Sequence, residues 1–304
     1  MRAPRALIPL LAVGGATAVL AAAGAGAAIK ELPSFGPAHA DGRRAPASAS
    51  VTAVTWNVCG DAEPGCRLGS QPAELTRRIA QQARTTVVGG RKVRPDVLFL
   101  QEICSGHLTA LGKTASMDGW TWAFAPNGRS DGKPRACVNG QGQYGVALGV
   151  RGRPMTDVRQ VRLPAPQAHG RAAVCATVKA WRTRLCSTQL SSARWDDDPR
   201  GEWRRKQVRQ LASLVGHGRI VIAGDLTDRP QGKPLDPLYR DYAECDQGPD
   251  QRDGAKTLQD WQGRAVEKTD YLFTTRSASV SCGVATTPTA FSDHRPMSAR
   301  VRFR

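Results

Sequence analysis

The chain has 304 residues, of which 43 are Lys or Arg and 26 are Asp or Glu, for a formal net charge of +17. That length supports one large domain with a sizeable core, and the surplus of positive charge favours polyanions over cationic ligands. The basic residues are spread along the chain, and no GxGxxG or Walker pattern points to a nucleotide-binding parallel sheet.

In chain order the first feature is a leader. A short basic stretch, Met1 to Arg5, precedes an uncharged run of Ala, Leu, Val and Gly to Ala28, and Ala38-His39-Ala40 follows as a small-residue A-x-A pattern. This predicts a secretory signal peptide over residues 1–40, with cleavage after the Ala/Gly run as the alternative site. The run from Ala6 to Ala28 is also long enough for an uncleaved membrane anchor. Residues 41–50 (DGRRAPASAS) are small, polar and Pro-containing, which predicts a linker. No internal repeat or second linker follows, so residues 51–304 are expected to form one domain.

Apolar, β-branched runs predict strands at Val51–Asn57 and Asp96–Gln101. Between them Leu75, Ile79, Gln82 and Ala83 recur at helical spacing, which predicts a helix over Pro72–Val88. Further strands are expected at Tyr144–Arg151, and at Arg171–Lys179 and Thr183–Leu190, joined by a short turn into a hairpin. Asp198-Pro199 predicts a helix start and Gly216-His217-Gly218 its stop. In that helix Trp203, Val208, Leu211, Leu214 and Val215 are expected to face inward, and Arg204, Arg205, Lys206 and Arg209 outward. Arg219–Ala223, Thr269–Thr274, Ser277–Gly283 and Met297–Phe303 complete the expected strands. Many strands and few helices suggest a layered α/β sandwich.

All eight cysteines follow residue 40, and none forms a CxxC pair. In an exported chain an even count predicts disulfides rather than a zinc site. Cys175 and Cys186 face each other in the expected hairpin, and Cys59–Cys66 would close a tight loop. Order along the chain suggests Cys104–Cys137 and Cys245–Cys282.

Polar residues recur at the ends of apolar strands: Asn57, Glu102 and Asp225 just after one, Asp270 opening one, and the pair Asp293-His294 before the last. Each alone reads as a cap or turn residue. Projected from one edge of a sheet they would share a crevice. Asn57, Glu102, Asp225 and Asp293 are hard oxygen donors suited to Mg²⁺ or Ca²⁺ beside a phosphate, and Asp270 with His294 forms an acid/base pair.

Five blocks carry these residues in order: TWNVCG (Thr55–Gly60), LQE (Leu100–Glu102), AGDLTD (Ala223–Asp228), TDYLF (Thr269–Phe273) and SDHRP (Ser292–Pro296). Together they resemble the signature blocks of the endonuclease/exonuclease/phosphatase superfamily, which includes secreted pancreatic-type deoxyribonuclease and neutral sphingomyelinase. The resemblance spans residues 51–304. It implies a four-layer α/β/β/α sandwich of two mixed sheets, with the site at one end, and a phosphoesterase dependent on Mg²⁺, with Mn²⁺ and Ca²⁺ as alternative ions. It further implies that Asn57, Glu102 and Asp293 form the metal site, with Glu102 the principal ligand. His294 would act as general base or hold the phosphate, oriented by Asp270. Asp225 would position the nucleophile and Tyr144 would contact the phosphate.

Two positions depart from the family pattern. Gln189 stands where a second His usually contacts the phosphate and protonates the leaving oxygen, and Thr227 stands where Asn usually orients the nucleophile. An amide can donate a hydrogen bond but cannot act as an acid near neutral pH. The resemblance therefore leaves three readings: a nuclease-like phosphodiesterase, a sphingomyelinase- or phospholipase-C-like lipid esterase, and a weakened phosphate-ligand binding protein. Arg194, Arg204 and Arg229 flank the motif loops as candidate phosphate contacts for DNA or RNA, and Trp195 and Trp203 as candidate stacking residues, Trp203 reading better as core. No continuous apolar hairpin suggests a stable membrane partner, and a secreted monomer is the default for this size.

Overall fold

The computed structural model describes residues 48–304 apart from 64, 167–169, 195 and 248–250. The expected signal peptide, most of the expected linker and Trp195 lie outside the described residues. In chain order the strands are β1 (Ala49–Asn57), β2 (Thr86–Val88), β3 (Arg91–Val93), β4 (Val97–Cys104), β5 (Trp120–Pro126), β6 (Tyr144–Arg151), β7 (Thr156–Leu163), β8 (Arg171–Val178), β9 (Thr183–Gln189), β10 (Arg219–Asp225), β11 (Ala243–Glu244), β12 (Leu258–Gln259), β13 (Ala265–Glu267), β14 (Asp270–Thr274), β15 (Ser279–Val284) and β16 (Met297–Phe303). The helices are α1 (Pro72–Arg84), α2 (Ser105–Gly112), α3 (Glu202–Val215) and α4 (Asp236–Asp241).

Two six-stranded mixed sheets dominate, ordered β15-β16-β1-β4-β6-β5 and β11-β14-β10-β9-β8-β7. Each is built around one parallel pair, β1 with β4 and β9 with β10, and every other neighbour is antiparallel. A parallel pair needs a long crossover, and α1 and α3 supply the two crossovers.

Period-two alternation sorts the side chains into layers. Val51 and Ala53 of β1 join Phe99, Leu148, Val174, Val221, Leu272 and Val301 in the core between the sheets. Val54 and Trp56 face the other way and meet Leu75, Ile79 and Ala83 of α1. On the second sheet Ile220 and Ile222 turn outward against Val208, Leu211 and Val215 of α3. The result is the expected α/β/β/α sandwich. Burying a Val, Leu or Phe side chain of this kind contributes about 1.5–3 kcal/mol, so the three clusters fix the sheet edges relative to each other.

Several element boundaries differ from expectation for local reasons. Helix α1 ends at Arg84 rather than Val88, because the β-branched residues Thr86, Val87 and Val88 enter the β2–β3 hairpin, which turns on Gly89 and Gly90 with φ of 56° and 75°. Helix α3 begins at Glu202, after Gly201 in the left-handed region, rather than at Asp198. Asp198 still satisfies its first turn, accepting the N–H groups of Trp203 at 3.1 Å and Arg204 at 3.0 Å. Arg204 points inward and is buried, whereas Trp203 is half-buried beneath the Lys206 ammonium. Four disulfides join Cys59–Cys66, Cys104–Cys137, Cys175–Cys186 and Cys245–Cys282. Cys175 and Cys186 are direct partners in the β8–β9 register.

Candidate active site

The ends of four strands and one loop meet at one edge of the sandwich. Asn57 closes β1, Gln189 closes β9 and Asp225 closes β10, and Asp270 opens β14. The register sets Asp225 opposite both Gln189 and Asp270. Within β4 a bulge interrupts the pairing between Leu100 and Ile103, and Glu102 there adopts φ 55°. A left-handed glutamate in a strand is strained backbone, and the bulge re-aims its carboxylate toward the crevice. Two glycines make room. A Cβ on Gly60 would lie 2.7 Å from the Glu102 carbonyl oxygen, and one on Gly224 (φ 156°) would lie 1.9 Å from that of Thr188.

The SDH segment is clamped to the end of β1. Ser292 Oγ donates to the Asn57 carbonyl at 2.8 Å and accepts the His294 N–H at 3.0 Å. Trp56 Nε1 donates to the His294 carbonyl at 3.0 Å. His294 is buried, and its Nδ1 lies 2.7 Å from Asp270 Oδ2. With Nδ1 on that carboxylate, Nε2 faces Asp225 Oδ2 and Asp293 Oδ1, each at 3.9 Å. Those distances exceed hydrogen-bond length, and an oxygen set to one side of either line could contact both groups. Burial lowers the His294 pKa, but Asp270, Asp225 and Asp293 outweigh it and raise it well above the ordinary histidine value. Burial likewise pushes Asp225 up, with Asp270 and Glu102 adding to the rise while His294 and Gln189 oppose it.

Gln189 has a defined orientation. Arg171 Nη1 donates to its Oε1 at 2.7 Å, so the amide NH₂ faces Glu102 Oε1 at 2.6 Å and Asp225 Oδ2 at 3.2 Å. Arg171 is itself held by Asp196, through Nε at 3.0 Å and Nη2 at 2.5 Å. Asn57 Nδ2 reaches the same Asp225 oxygen at 3.1 Å. Neither Arg171 nor Asp196 is marked by a motif, and the only sequence signal for Arg171 is a charged residue opening an apolar strand.

A divalent cation fits Asn57, Glu102 and Asp293 as oxygen donors. Among the described residues, one oxygen of Glu102 carries no hydrogen bond, no other residue's side chain hydrogen-bonds the Asp293 carboxylate, and Asp293 is half-exposed at the crevice mouth. Anionic oxygens in excess of their protein partners match the donor chemistry of a hard divalent ion. Asp225, Asp270 and His294 also place ligand atoms within 4.8 Å of one another. There, however, the imidazole is bound to Asp270 and tends to carry a proton, which disfavours a cation.

Other expected site residues lie differently. Thr227 sends its hydroxyl to the Ser191 carbonyl at 2.7 Å, away from the crevice, and contributes instead a backbone N–H to Asp225 Oδ1 at 2.9 Å. Thr227, a candidate site residue, thus reaches the site through its backbone and not through its hydroxyl. The expectation for Arg204 is corrected: it is 4% exposed, and its guanidinium bonds Asp228, the Ser191 carbonyl and the Asp198 carbonyl. It ties the fold together and cannot reach a substrate. Tyr144 is buried against the Cys104–Cys137 bridge, with Arg135 over its ring, and burial and Glu102 raise its pKa well above 10, so it stays protonated. Arg229 is exposed and paired with Glu267, and Arg194 is exposed.

The sequence profile of the Endonuclease/Exonuclease/phosphatase family matches residues 54–294. No curated protein matches the chain. Among solved structures, an endonuclease/exonuclease/phosphatase family protein from Bacteroides thetaiotaomicron superposes with a TM-score of 0.64 at 13% identity, covering 85% of this chain and 96% of that one. The human Nocturnin catalytic domain with bound sulfate gives 0.58 at 16% identity, over 83% and 93% of the two chains. A mannosyl-6-phosphatase from Bacteroides thetaiotaomicron gives 0.61 at 15%, over 83% and 100%. At these identities the superpositions establish the shared fold, while the match over most of the chain, together with the assembled dyad and carboxylates, establishes kinship. The chain belongs to the endonuclease/exonuclease/phosphatase family, and with it to the phosphodiesterase- and nuclease-type hydrolases.

Proposed function

We propose that the chain is a secreted, divalent-cation-dependent phosphodiesterase whose substrate is nucleic acid. The observation that carries this reading is the His294–Asp270 pair, whose Nε2 faces Asp225 at 3.9 Å, beyond hydrogen-bond length. A cation held by Glu102, Asn57 and Asp293, with Mg²⁺ the expected ion, would supply charge neutralisation at the phosphoryl oxygens. The chain's own groups do the rest. A protonated His294 donates from Nε2 to a phosphoryl oxygen, while Asp270 keeps the ring oriented. Asp225, with its raised pKa, accepts the proton of an attacking water. Asn57 and Gln189 hold the Asp225 carboxylate in place through their amide N–H groups. Gln189 supplies a hydrogen bond but no proton, so the leaving oxygen departs without the usual second acid.

The formal charge of +17 supports a polyanionic substrate. Of the exposed large apolar residues among those described, Trp261 and Val266 share the β12–β13 hairpin, but Asp260, Gln262, Arg264 and Glu267 make that hairpin polar rather than one that would enter a bilayer. No helix among the described residues is long and apolar enough to cross a membrane. Four disulfides and the leader pattern support export. The test is to incubate the purified protein with plasmid DNA, RNA, sphingomyelin and a chromogenic phosphodiester, with Mg²⁺ or with chelator. Chelator-sensitive cleavage of DNA or RNA supports the proposal. Cleavage of sphingomyelin alone transfers the site to the lipid esterases, and no cleavage, together with no calorimetric Mg²⁺ binding, leaves a phosphate-ligand binding protein.

A further inference from the structure

Beside Asp293 lies a pocket of about 530 Å³ that the phosphodiesterase chemistry does not use. Arg67, just past the Cys59–Cys66 loop, forms one wall, and Phe291 and Pro288 form another. The third is the turn of the β12–β13 hairpin, which carries Trp261. Trp261 is 83% exposed, the most exposed large apolar residue among those described. An indole in that state adds nothing to the core, yet its backbone is tightly held. Asp260 accepts the N–H groups of Gln262 at 3.0 Å and Arg264 at 2.8 Å, and Arg295 donates to the Gly263 carbonyl at 2.6 Å. The hairpin is also bonded to the catalytic segment: Gln259 N donates to the Asp293 carbonyl at 2.7 Å, and Leu258 bridges His294. A rigid mount that fixes an unburied aromatic ring next to the reacting centre has the form of a binding platform rather than a packing element.

The surrounding charge narrows the occupant. Arg67 is exposed and carries no ion pair among the described residues. Behind the Phe291 wall, Arg78 stacks on the ring at 4.0 Å from its centroid and is neutralised by Glu74, as Asp260 is by Arg264. The unpaired Arg67 guanidinium at the wall disfavours a quaternary-ammonium headgroup and, beside the exposed indole, favours a planar, electron-rich ring joined to phosphate. We infer that this pocket is a nucleobase subsite, in which a base of the substrate stacks on Trp261 while Arg67 holds a neighbouring phosphate. The inference rests on the phosphodiesterase reading and specifies its substrate as one with a base beside the scissile phosphate.

The experiment compares three substrates with one leaving group: the p-nitrophenyl phosphodiesters of thymidine at its 5′ and at its 3′ oxygen, and methyl p-nitrophenyl phosphate, which has no base. Trp261→Ala is expected to lower kcat/KM for at least one thymidine ester by about ten- to a hundredfold, through KM. The methyl ester should be unaffected, and Trp261→Phe should restore most of the loss. Equal changes on all three substrates, or none on any, would overturn the subsite. Should the unaltered protein cleave none of them, the phosphodiesterase reading is decided by the DNA and RNA assay above, and the pocket is judged by fluorescence alone. Oligothymidylate in the presence of chelator should quench the indole emission, and the quench should vanish in Trp261→Ala. No quench, or an unchanged one in the variant, would overturn the pocket as well.

Discussion

Arg171 fixes which way Gln189 faces. Its Nη1 lies 2.7 Å from Gln189 Oε1, which leaves the amide nitrogen as the only end that can meet Glu102 and Asp225. A guanidinium cannot accept a hydrogen bond and a carboxylate cannot donate one when ionised, so the amide has a single satisfactory orientation between them. Gln189→Ala removes both N–H bonds and should lower kcat by about ten- to a hundredfold. An unchanged kcat would show that neither carboxylate needs the amide.

Gln189→His should raise the rate where leaving-group protonation is limiting. The new imidazole would face the Arg171 cation, which opposes its protonation. The gain is therefore expected for an alkoxide leaving group at mildly acidic pH and should be absent for p-nitrophenolate, which needs no acid. Rate profiles for the two leaving groups check this, and equal gains would contradict it.

Asp270→Asn keeps the shape of the dyad but removes the charge that orients and supports the His294 imidazolium. Turnover should fall by about a hundred- to ten-thousandfold, with little change in melting temperature. A loss below threefold would show that the 2.7 Å contact is structural only.

His107 offers a pH signature separate from the site. Burial pulls its pKa down from 6.5 to about 4, against the opposing pull of Asp61, and its Nε2 has no partner among the described residues. The unfolded chain therefore binds this proton more readily than the folded one. The stabilising difference is complete above about pH 6.5 and is lost as the pH falls toward and through 4. Thermal melts should show His107→Leu with a shallower loss of stability than the unaltered protein between pH 6.5 and 4. Parallel curves would contradict the assignment.

The disulfides should rank by the loop they close. Cys175–Cys186 spans 11 residues and Cys245–Cys282 spans 37. In the chain-entropy account their removal costs about 3 and about 4 kcal/mol respectively. Urea unfolding of the paired Cys→Ala variants gives both values, and a reversed order would point to native packing as the larger effect.

Much of this architecture is legible because apolar, β-branched runs stop abruptly at Asn57 and Asp225 and begin just after Asp270 and Asp293-His294, and strand ends project side chains. Strand β7 is not, since its residues from Asp157 to Gln160 are exposed on both faces of an edge strand and show no alternation. The strand β5 and the eight-residue α2 also went unread, the latter because it is too short for a periodic signal. Charge normally faces outward, which makes an outward Arg204 the expectation from sequence. It is buried because Asp228 and two carbonyls replace its water. The Arg171–Gln189 bond depends on the β8–β9 register, which no local pattern encodes. That the Thr227 hydroxyl bonds the Ser191 carbonyl depends on a contact 36 residues away in the chain, which no local pattern encodes.

The most direct test of the central claim is release of p-nitrophenolate from bis(p-nitrophenyl) phosphate by the unaltered protein and by His294→Ala, each with Mg²⁺ and with chelator. The account predicts turnover that needs the cation and falls at least about a thousandfold in the variant. Turnover that survives chelator, or that His294→Ala leaves intact, would contradict it.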